Sequence, residues 1–569
     1  MNKIRNIRIQ LVFLSFLFLM EGCQAPGTNK NKRPNIVFVL MDDYGFGQFA
    51  PHNRDLQVDD FDPLLMEHVK EHYEYAPEKA LSMSKKAIPT LSRMSAQGVR
   101  FTNAFTSSNL SAPSRMGIAT AMHQNRWGIY RNIDAESHGL KPGSHLAEQL
   151  KEQGYATAHL GKWHIGSRKR QLVSEMLKRH DLPDTLNYWQ MQEQYPELAK
   201  RLKNNGYMGS VVDAHHPLNN GFDYYFGYNM WESPFYGATN VWENFEPAGK
   251  LEKYNTDLFT DKAMRFIRQS REQDKPFYVQ LHYHAVHAPL KPKAPDKYFN
   301  HFDSDSYILN NFYAHVYAVD QNIKRIEQYL KEKGMAENTL FIFTSDNGGA
   351  VGGRSPLPGN APYVGQKGMY FQGGIRVPLM FYWPDGIREH QVNDQLVSTM
   401  DILPTAVDAA GGSLPDGLDG KSLMPYLTGQ HNKPLRQELV WSGIHSRAWA
   451  FMSRMSYLPH NQARSIAPSA WAVVKKDWIL RYISEVPPNL WKDYPDGRNP
   501  VMELYQYSID PQETENLVEK KSAVKEELQD IWQERAKTYP PPVAWEREKW
   551  LRIVPESNQY LDQSTGKEN

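Results

Sequence analysis

The chain has 569 residues, 40% hydrophobic and 12% aromatic, which suits one large domain with a smaller one and excludes low-complexity disorder. Its 65 Lys and Arg against 64 Asp and Glu leave no overall positive field for nucleic acid, so an anionic ligand needs a local cluster of cations. A single cysteine excludes an internal disulfide framework and a cysteine-built zinc site.

The N-terminus has the pattern of an export signal. Three basic residues precede an apolar run at residues 11–20, which is too short to span a bilayer as a helix. The single cysteine, Cys23, follows it as at a lipoprotein signal peptidase site. We predict a signal peptide at 1–23, lipidation of Cys23 and a polar tether at 24–33, which would place the protein in the bacterial cell envelope, periplasmic or surface-facing. The alternative is a short membrane anchor or an ordinary cleaved signal.

Behind this segment the chain has an α/β pattern. Residues Asn35–Met41 and Thr339–Ser345 are nearly continuous apolar runs, as in strands covered by helices on both faces. Residues 156–161 and Phe277–His282 are weaker strand candidates. Apolar residues spaced by threes and fours over 312–330 predict a helix before the last of these strands. We therefore predict an α/β fold with a large, mixed but mostly parallel sheet sandwiched by helices.

Polar stretches at about residues 51–86 and 167–213 favour helices, and we interpret them as insertions in this pattern. After about residue 430 the chain turns polar and then carries strand candidates of its own at 471–474 and 478–482. The predicted domains are a large N-terminal domain at 34–430 and a smaller C-terminal α+β domain at 431–569.

Polar residues follow four of the predicted strands. In open α/β sheets, ligands bind beyond the carboxyl ends of the strands, so these residues are candidates for one shared site. In chain order they are Asp42 and Asp43, then Lys162 and His164, then His284 and His287, and finally Asp346 and Asn347.

The oxygen-bearing residues of this set suit a hard cation such as calcium or magnesium. Each pair alone is also explained by a solvated turn or loop. Two acidic pairs at the ends of two buried strands favour a metal site, because clustered carboxylates repel unless a cation or protons intervene.

Residues 111–115, Ser-Ala-Pro-Ser-Arg, begin a helix-compatible run. Proline near its front fits the first helical turn, so Ser111 should lie at a helix N-terminus, where backbone N–H groups favour an anion. A plain N-cap role for Ser111 explains the same pattern, and helix geometry does not separate the two.

Together these motifs resemble the type I sulfatases of the alkaline phosphatase superfamily. Residues 111–115 are similar to the family signature Cys/Ser-x-Pro-Ser-Arg, whose first residue is oxidised to formylglycine. The other motifs stand in the family's order within residues 34–517: Asp42-Asp43, then 161–164, 287–289, 346–348, Lys367-Gly368 and 373–378.

The resemblance implies an alkaline-phosphatase-like fold, one Ca²⁺ and hydrolysis of sulfate monoesters. It implies that Ser111 is converted to formylglycine by a radical-type sulfatase maturation enzyme, and that the hydrate attacks sulfur with one hydroxyl group and expels sulfate with the other. The implied calcium ligands are Asp42, Asp43, Asp346 and Asn347. The implied catalytic residues are Ser111, Arg115, Lys162, His164, His287 and Lys367.

The resemblance also suggests roles for these side chains. The three cations would neutralise the sulfate group in a dry site. His287 would protonate the leaving alcohol oxygen and His164 would handle the protons of the hydrate, although the two histidine roles could be exchanged.

The substrate class is expected to be a sulfated carbohydrate, because similar bacterial lipoproteins remove sulfate from host or algal glycans, including glycosaminoglycans. We expect exo action, with 6-O-sulfated galactose, N-acetylgalactosamine and glucosamine as first candidates. Candidate substrate-binding residues are His215, His216, Trp231 and Arg354, together with the basic run at 168–170. Core packing, or a solvated charged face for the basic run, is the alternative explanation.

Two other functions remain open. One is a metal-dependent phosphoesterase or phosphotransferase in which Ser111 acts unmodified; such relatives usually need two zinc ions and further Asp/His clusters, whereas the predicted site offers oxygen ligands for one ion. The other is a sulfated-glycan-binding lipoprotein that is never matured.

Overall fold

The computed structural model describes residues 33–168, 170–184, 186, 188–204, 211–350, 355–430, 433–443, 457–459, 466–468, 470–483, 501–540 and 543. The predicted signal peptide with Cys23, the tether up to residue 32, and Arg354 lie outside these residues. No helix in the described ranges combines the length and the apolar character that a bilayer crossing requires.

The described strands, in chain order, are β1 (Asn35–Met41), β2 (Val99–Phe101), β3 (Ala104–Phe105), β4 (Ala156–Lys162), β5 (Tyr224–Tyr228), β6 (Trp242–Glu243), β7 (Glu246–Pro247), β8 (Phe277–His282), β9 (Thr339–Ser345), β10 (Leu379–Tyr382), β11 (Gln391–Asn393), β12 (Val397–Ser398), β13 (Glu438–Gly443), β14 (Tyr457–Pro459), β15 (Ile466–Pro468), β16 (Ala470–Lys475), β17 (Trp478–Ile483) and β18 (Val501–Gln506).

The described α-helices are α1 (Pro63–His72), α2 (Pro77–Lys86), α3 (Pro89–Gln97), α4 (Ser111–Thr120), α5 (Asn132–His138), α6 (Ala147–Glu152), α7 (Arg170–Arg179), α8 (Tyr188–Gln194), α9 (Pro196–Asn204), α10 (Asn255–Glu272), α11 (Asp296–Phe299), α12 (Tyr307–Glu332), α13 (Gln372–Ile375), α14 (Ile402–Ala409), α15 (Met424–Leu427) and α16 (Ser522–Ala536). Short 3₁₀ turns lie at Phe46–Gln48, Val58–Asp60, Gln124–Trp127, Asp213–His215, Pro217–Asn219 and Thr399–Asp401.

A ten-stranded sheet in the order β11-β2-β10-β9-β1-β8-β4-β5-β6-β7 forms the centre of the fold. Its five central strands, from β9 to β5, are all parallel, and antiparallel pairs flank them on both sides. The predicted mostly parallel sheet is therefore confirmed. Because the central strands run the same way, the residues that follow β1, β4, β8 and β9 all lie at one edge of the sheet.

Both faces of this sheet are covered. In β1, Val37 and Val39 face one hydrophobic core, and Ile36 and Phe38 face the other; all four are at most 2% exposed. Helices α3, α10 and α12 pack into the first core, and α4, α6 and α14 into the second. Each fully buried apolar side chain of this kind contributes about 1.5–3 kcal/mol. This two-sided burial is why the sequence of β1 is apolar without alternation.

A second sheet follows, with antiparallel strands in the order β13-β16-β17-β18. Helix α16 packs on one face, where Trp532 stacks on Trp471 with 4.5 Å between ring centroids. The other face packs through Trp441 against Phe105 and Tyr370, which belong to the part of the chain that forms the large sheet. The small α+β unit expected near the C-terminus is present.

A buried ion cluster joins the second sheet to residues 370–372, between β9 and β10. The Arg481 side chain, on β17, is 0% exposed and pairs with Glu503 at 3.0 Å and with Glu513 at 2.6 Å. Its guanidinium also donates to the Tyr370 carbonyl at 3.3 Å, and Glu513 accepts from the Gln372 backbone N–H at 3.2 Å. The second sheet thereby holds the segment that directly follows Lys367.

Candidate functional site

The four predicted metal ligands lie side by side because β1 and β9 are paired in parallel, with Met41 opposite Ser345. The residues that follow these strands therefore meet. Asp346 Oδ1 accepts the Asp43 backbone N–H at 3.2 Å, and Asn347 Nδ2 donates to Asp43 Oδ1 at 2.8 Å. All four residues are buried.

Three cations neutralise the three carboxylates of this cluster. Lys162 Nζ lies 2.5 Å from Asp42 Oδ2, and Lys367 Nζ lies 2.6 Å from Asp43 Oδ1. Arg115 Nε donates to Asp346 Oδ2 at 3.0 Å. The charges balance one to one, so a bound dication would leave the site with an excess of positive charge, which favours an anionic ligand.

The donor set fits a hard divalent cation. Asp42 Oδ1 is buried and has no hydrogen-bond partner among the described residues, although an ionised carboxylate oxygen is a strong acceptor. Oxygen atoms of Asp42 and Asp43 and a ring nitrogen of His287 all lie within 4.8 Å of one another. The structure thus brings a histidine close to the predicted oxygen ligands.

Ser111 is the first residue of α4 and is 1% exposed. The N-cap position is occupied by Leu110, and the Ser111 hydroxyl donates to Asn347 Oδ1 at 3.1 Å instead of capping the helix. The hydroxyl therefore lies at the N-terminus of a buried helix and in contact with the predicted metal ligands. Of the two explanations that the sequence left open, the plain N-cap role does not apply, because Leu110 occupies that position.

Arg115 lies one turn further along α4, on the same face as Ser111. Its Nη1 donates to the Lys162 carbonyl at 3.0 Å, and its Nη2 lies 3.7 Å from Asp42 Oδ2 with no hydrogen-bond partner. Burial disfavours the charged guanidinium, but Asp346 and Asp42 outweigh this effect and raise the pKa of Arg115. Burial lowers the pKa of the Lys162 ammonium, and Asp42 opposes that shift.

His287 is a buried neutral imidazole in this arrangement. Its Nδ1 lies 2.6 Å from the Ala288 carbonyl, which can only accept, so Nδ1 carries the proton. Its Nε2 lies 3.8 Å from Asp43 Oδ2. Burial, reinforced by Lys367 and Lys162, lowers the pKa of His287 well below its ordinary value. The neighbouring His284 instead forms a hydrogen bond of 2.9 Å with the Tyr228 hydroxyl.

His164 has a carboxylate partner that the sequence did not reveal. Its Nε2 lies 3.1 Å from Oε1 of Glu136, a residue of α5, and its Nδ1 is buried with no hydrogen-bond partner. Glu136 Oε2 pairs with Arg168, whose guanidinium lies 5.5 Å from the centre of the Trp231 ring. Burial lowers the pKa of His164 to about 4, against the opposing effect of Glu136. Glu136 belongs to no motif, and no sequence signal pointed to it.

Backbone geometry at the strand ends directs these side chains. Asp43 and His164 have φ of 62° and 58°, the left-handed region that non-glycine residues rarely adopt. Gly161, at φ 95°, lies where a Cβ atom would be 1.9 Å from the His282 carbonyl oxygen. The sheet thus packs too tightly at this edge for any side chain at position 161.

The predicted substrate-binding residues are not all in one place. Trp231 and Arg168 connect to His164 through Glu136. His215 Nδ1 accepts the backbone N–H of Ser167, beside Arg168, at 3.2 Å. His216 caps a 3₁₀ turn: its Nδ1 accepts the Leu218 N–H at 3.2 Å, and its Nε2 lies 2.8 Å from the Asn244 carbonyl.

The arrangement has the features of a site for a small tetrahedral anion. A buried hydroxyl group lies at a helix N-terminus, with three buried cations, two buried histidines and a cluster of carboxylates that fits a dication. Backbone N–H groups and cations in a dry site bind oxyanions strongly.

Comparisons with known proteins point to one family. Residues 34–413 match the family model Sulfatase. The uncharacterized sulfatase YdeN of Escherichia coli (strain K12) is 31% identical over 531 residues, which cover 90% of this chain and 87% of YdeN. The N-acetylgalactosamine-6-sulfatase of Rattus norvegicus is 26% identical over 454 residues, or 75% of this chain and 71% of that protein.

Solved structures share the fold. Ps i-CgsB, crystallised in complex with k-i-k-neocarrahexaose, superposes with a TM-score of 0.66 at 19% identity, covering 94% of this chain and 100% of that chain. The phosphonate monoester hydrolase SpPMH from Silicibacter pomeroyi has a TM-score of 0.51 at 17% identity, covering 90% of this chain and 97% of that chain. At these identities the likeness establishes the architecture alone.

Proposed function

The chain belongs to the sulfatase family of the alkaline phosphatase superfamily and is a sulfuric ester hydrolase, and from this premise we propose that it hydrolyses sulfate monoesters of carbohydrates through a formylglycine made from Ser111. The observation that carries the proposal is the position of the Ser111 hydroxyl, at the start of α4 and 3.1 Å from Asn347 Oδ1. A hydrated formylglycine would supply a hydroxyl nucleophile and a second hydroxyl group for the release of sulfate, whereas serine has only one.

We propose that Asp42, Asp43, Asp346 and Asn347 hold one Ca²⁺, with His287 beside it. The unpartnered Asp42 Oδ1 supports this assignment, because a cation would satisfy it. When bound, the ion would supply positive charge that neutralises the sulfate oxygens. The ion would also neutralise part of the negative charge of the carboxylates, which otherwise compensates the three cations.

Arg115, Lys162 and Lys367 are proposed to hold the sulfate group. All three are buried, so their charges are screened much less than on an exposed surface. They can bind an anion without a large reorganisation, since carboxylates and backbone already hold them in place. This favours a transition state with charge spread over the sulfate oxygens.

His287 and His164 are proposed to move protons, with His287 the donor to the leaving alcohol oxygen. His287 must first become charged to donate from Nε2, because Nδ1–H is held by Ala288. Burial lowers its pKa well below the ordinary value in the ligand-free site. A sulfate ester anion beside the ring would favour the charged form and raise that pKa.

For the substrate we propose exo action on a sulfated carbohydrate. The rat relative is named for N-acetylgalactosamine 6-sulfate, which supports 6-O-sulfated N-acetylgalactosamine, galactose and glucosamine as the first compounds to assay. The substrate-binding roles of His215, His216, Trp231 and Arg354 stay proposals. So do the domain boundary near residue 430, the lipidation of Cys23, export to the cell envelope and a radical-type maturation enzyme as partner.

The decisive experiment combines a peptide mass with two substrates. The chain is co-expressed with a serine-type maturation enzyme. We expect the peptide that contains Ser111 to lose the mass of the hydrogen removed when serine is oxidised to formylglycine, and we expect turnover of an aryl sulfate. An aryl phosphate is assayed in parallel. Hydrolysis of the phosphate alone by unmodified Ser111 would overturn the proposal in favour of a phosphoesterase. Formylglycine at Ser111 without turnover of any sulfate ester would favour the binding role.

A further inference from the structure

Glu136 lies between two polar side chains near the site and shares its carboxylate between them. Its Oε1 is 3.1 Å from His164 Nε2, and its Oε2 pairs with Arg168 Nη2. The Glu136 side chain is 13% exposed and that of His164 is 0% exposed. No predicted role accounts for this carboxylate.

The pairing determines where His164 carries its proton. An ionised carboxylate only accepts hydrogen bonds, so the Nε2 atom that faces Glu136 must be the protonated nitrogen of the ring. The other nitrogen, Nδ1, is then the basic one, and it is buried with no hydrogen-bond partner among the described residues. Lys162 and Arg115 are the cations that act on the ring, and Glu136 is the carboxylate that opposes them.

Arg168 keeps Glu136 in the ionised form that this arrangement requires. Burial favours the neutral acid, but Arg168 and His164 hold the pKa of Glu136 below its ordinary value. The Arg168 guanidinium is itself held against the Trp231 ring, at 5.5 Å from its centre. The carboxylate therefore has a fixed orientation and is a poor proton acceptor.

We propose that Glu136, held by Arg168, is a positioning residue that fixes the Nε2–H tautomer of His164 and leaves Nδ1 as the nitrogen that exchanges protons in the site. The inference rests on the proposed function, since it needs His164 to act in sulfate ester hydrolysis. In the step that expels sulfate, the second hydroxyl group of the formylglycine hydrate gives its proton to Nδ1 while its C–O bond becomes the aldehyde C=O bond and the C–O bond to the sulfate group breaks; no proton moves to Glu136. The imidazolium that results is stabilised by the adjacent Glu136 carboxylate and returns its proton to water.

Glu136→Gln tests the tautomer directly. An amide has one accepting and one donating end, and Arg168 presents N–H donors to the Oε2 position. The amide oxygen will therefore turn to Arg168, and its NH₂ group will face His164 Nε2. Nε2 must then accept, so the proton moves to Nδ1 and blocks it. We expect kcat for an aryl sulfate to fall at least about 100-fold, as for other wrong-tautomer variants, with KM changed less than about threefold.

The double variant Glu136→Gln/Arg168→Met separates this role from simple packing. Without the guanidinium the amide can turn its oxygen toward His164 and restore the tautomer. We expect kcat at least about tenfold above that of Glu136→Gln, whereas a packing role predicts a further loss. Glu243→Gln is the matched control, because Glu243 is also shared between two cations, Lys262 and Arg265, on the outer surface. It should keep parental activity.

The assays use the matured full chain, and thermal melting checks the fold of each variant. If the parent hydrolyses no sulfate ester, the proposed function fails. If the parent is active and Glu136→Gln keeps more than half of its kcat, the inference about Glu136 fails alone. It also fails if the kcat of the double variant is no higher than that of Glu136→Gln. It fails as well if Glu136→Gln shows no cooperative melting transition, because Glu136 is then needed for the fold itself.

Discussion

Asp42 shows how an individual side chain reveals a missing partner. One of its carboxylate oxygens is 2.5 Å from Lys162 Nζ, and the other is buried with no hydrogen bond. A buried oxygen without a partner costs about 1–3 kcal/mol, so its presence in the fold favours a compensating ligand. The proposed calcium ion is such a ligand.

Asp42→Asn should weaken calcium binding at least about tenfold, because the amide removes a charge while its oxygen still accepts from Lys162. The measurement is the calcium-dependent shift of the melting temperature relative to chelator. Asp303→Asn is the control, since the side chain of Asp303 is 84% exposed and far along the chain from the cluster. An Asp42→Asn protein that keeps the full parental shift would refute the ligand assignment.

Ser111→Ala should abolish turnover of an aryl sulfate but change the free energy of unfolding by only about 0.5–1.5 kcal/mol, since within the described structure the variant loses the hydrogen bond of the hydroxyl group to Asn347. Turnover and thermal melting are the measurements. Ser95→Ala is a matched control, because Ser95 is 1% exposed and its hydroxyl has no hydrogen-bond partner. Residual activity of Ser111→Ala near that of Ser95→Ala would contradict the nucleophile assignment.

At this scale sequence reasoning succeeds for residues that follow a recognisable strand and fails for isolated ones. Asp42 and Asp346 were placed together because the strands before them are unmistakable. Glu136 could not be found, because its contact with His164 depends on how α5 packs beside the end of β4. A short helix such as α5, with acidic residues at 134 and 136, has no pattern that encodes this distance.

Whole elements were predictable where burial leaves a strong pattern. Strands β1 and β9 have the predicted bounds because both faces of the central sheet are covered, which makes the middle of each strand continuously apolar. Strand β10 has four residues and escaped prediction, since no periodicity can be read from so short a run. The long helix α12 begins five residues before its predicted apolar pattern, at a point set by the Ser306 N-cap.

Helix α12 also caps a second helix, and this predicts a dependence of stability on pH. Asp320 accepts the backbone N–H groups of Thr90 and Leu91 at the start of α3. Burial raises the pKa of Asp320 to about 6. The protonated Asp320 side chain therefore adds to the free energy of unfolding. This contribution is fully present below 3.8, the pKa of Asp320 in the unfolded chain, and it is lost as the pH rises through 6.

Relative to Asp320→Asn, the parent should thus gain up to about 3 kcal/mol of stability between pH 7 and pH 4. Urea denaturation at four pH values gives the free energy of unfolding of both proteins. The titration of other groups cancels in the difference between the two values. A difference that does not change with pH would show that Asp320 does not titrate in this range.

At the scale of the whole molecule, Arg481 connects the small sheet to the segment that follows Lys367, through the Tyr370 carbonyl. Arg481→Met would leave Glu503 and Glu513 buried without their common cation, at a cost of about 3–5 kcal/mol. We also expect activity to fall, since Glu513 holds Gln372 and the segment behind Lys367. Arg535→Met is the control, because this half-exposed arginine lies 3.8 Å from Asp419. Equal melting temperatures for the two variants would contradict a joining role.

The contact made by Arg481 could not be predicted from the sequence. The order of elements indicated two units, but not which residues connect them, because Arg481, Glu503 and Glu513 are far apart from Tyr370 in sequence and carry no common motif. Charged residues are usually exposed, so a charge in a predicted strand reads as a surface position.

The burial of α4 has a consequence for timing. Every residue of this helix is buried, including Ser111 at 1% exposure. An enzyme that oxidises a side chain has to enclose it, so the proposed oxidation of Ser111 would have to take place before α4 has packed. Modification and folding would then compete, and a chain that folds first would keep its serine for as long as it stays folded.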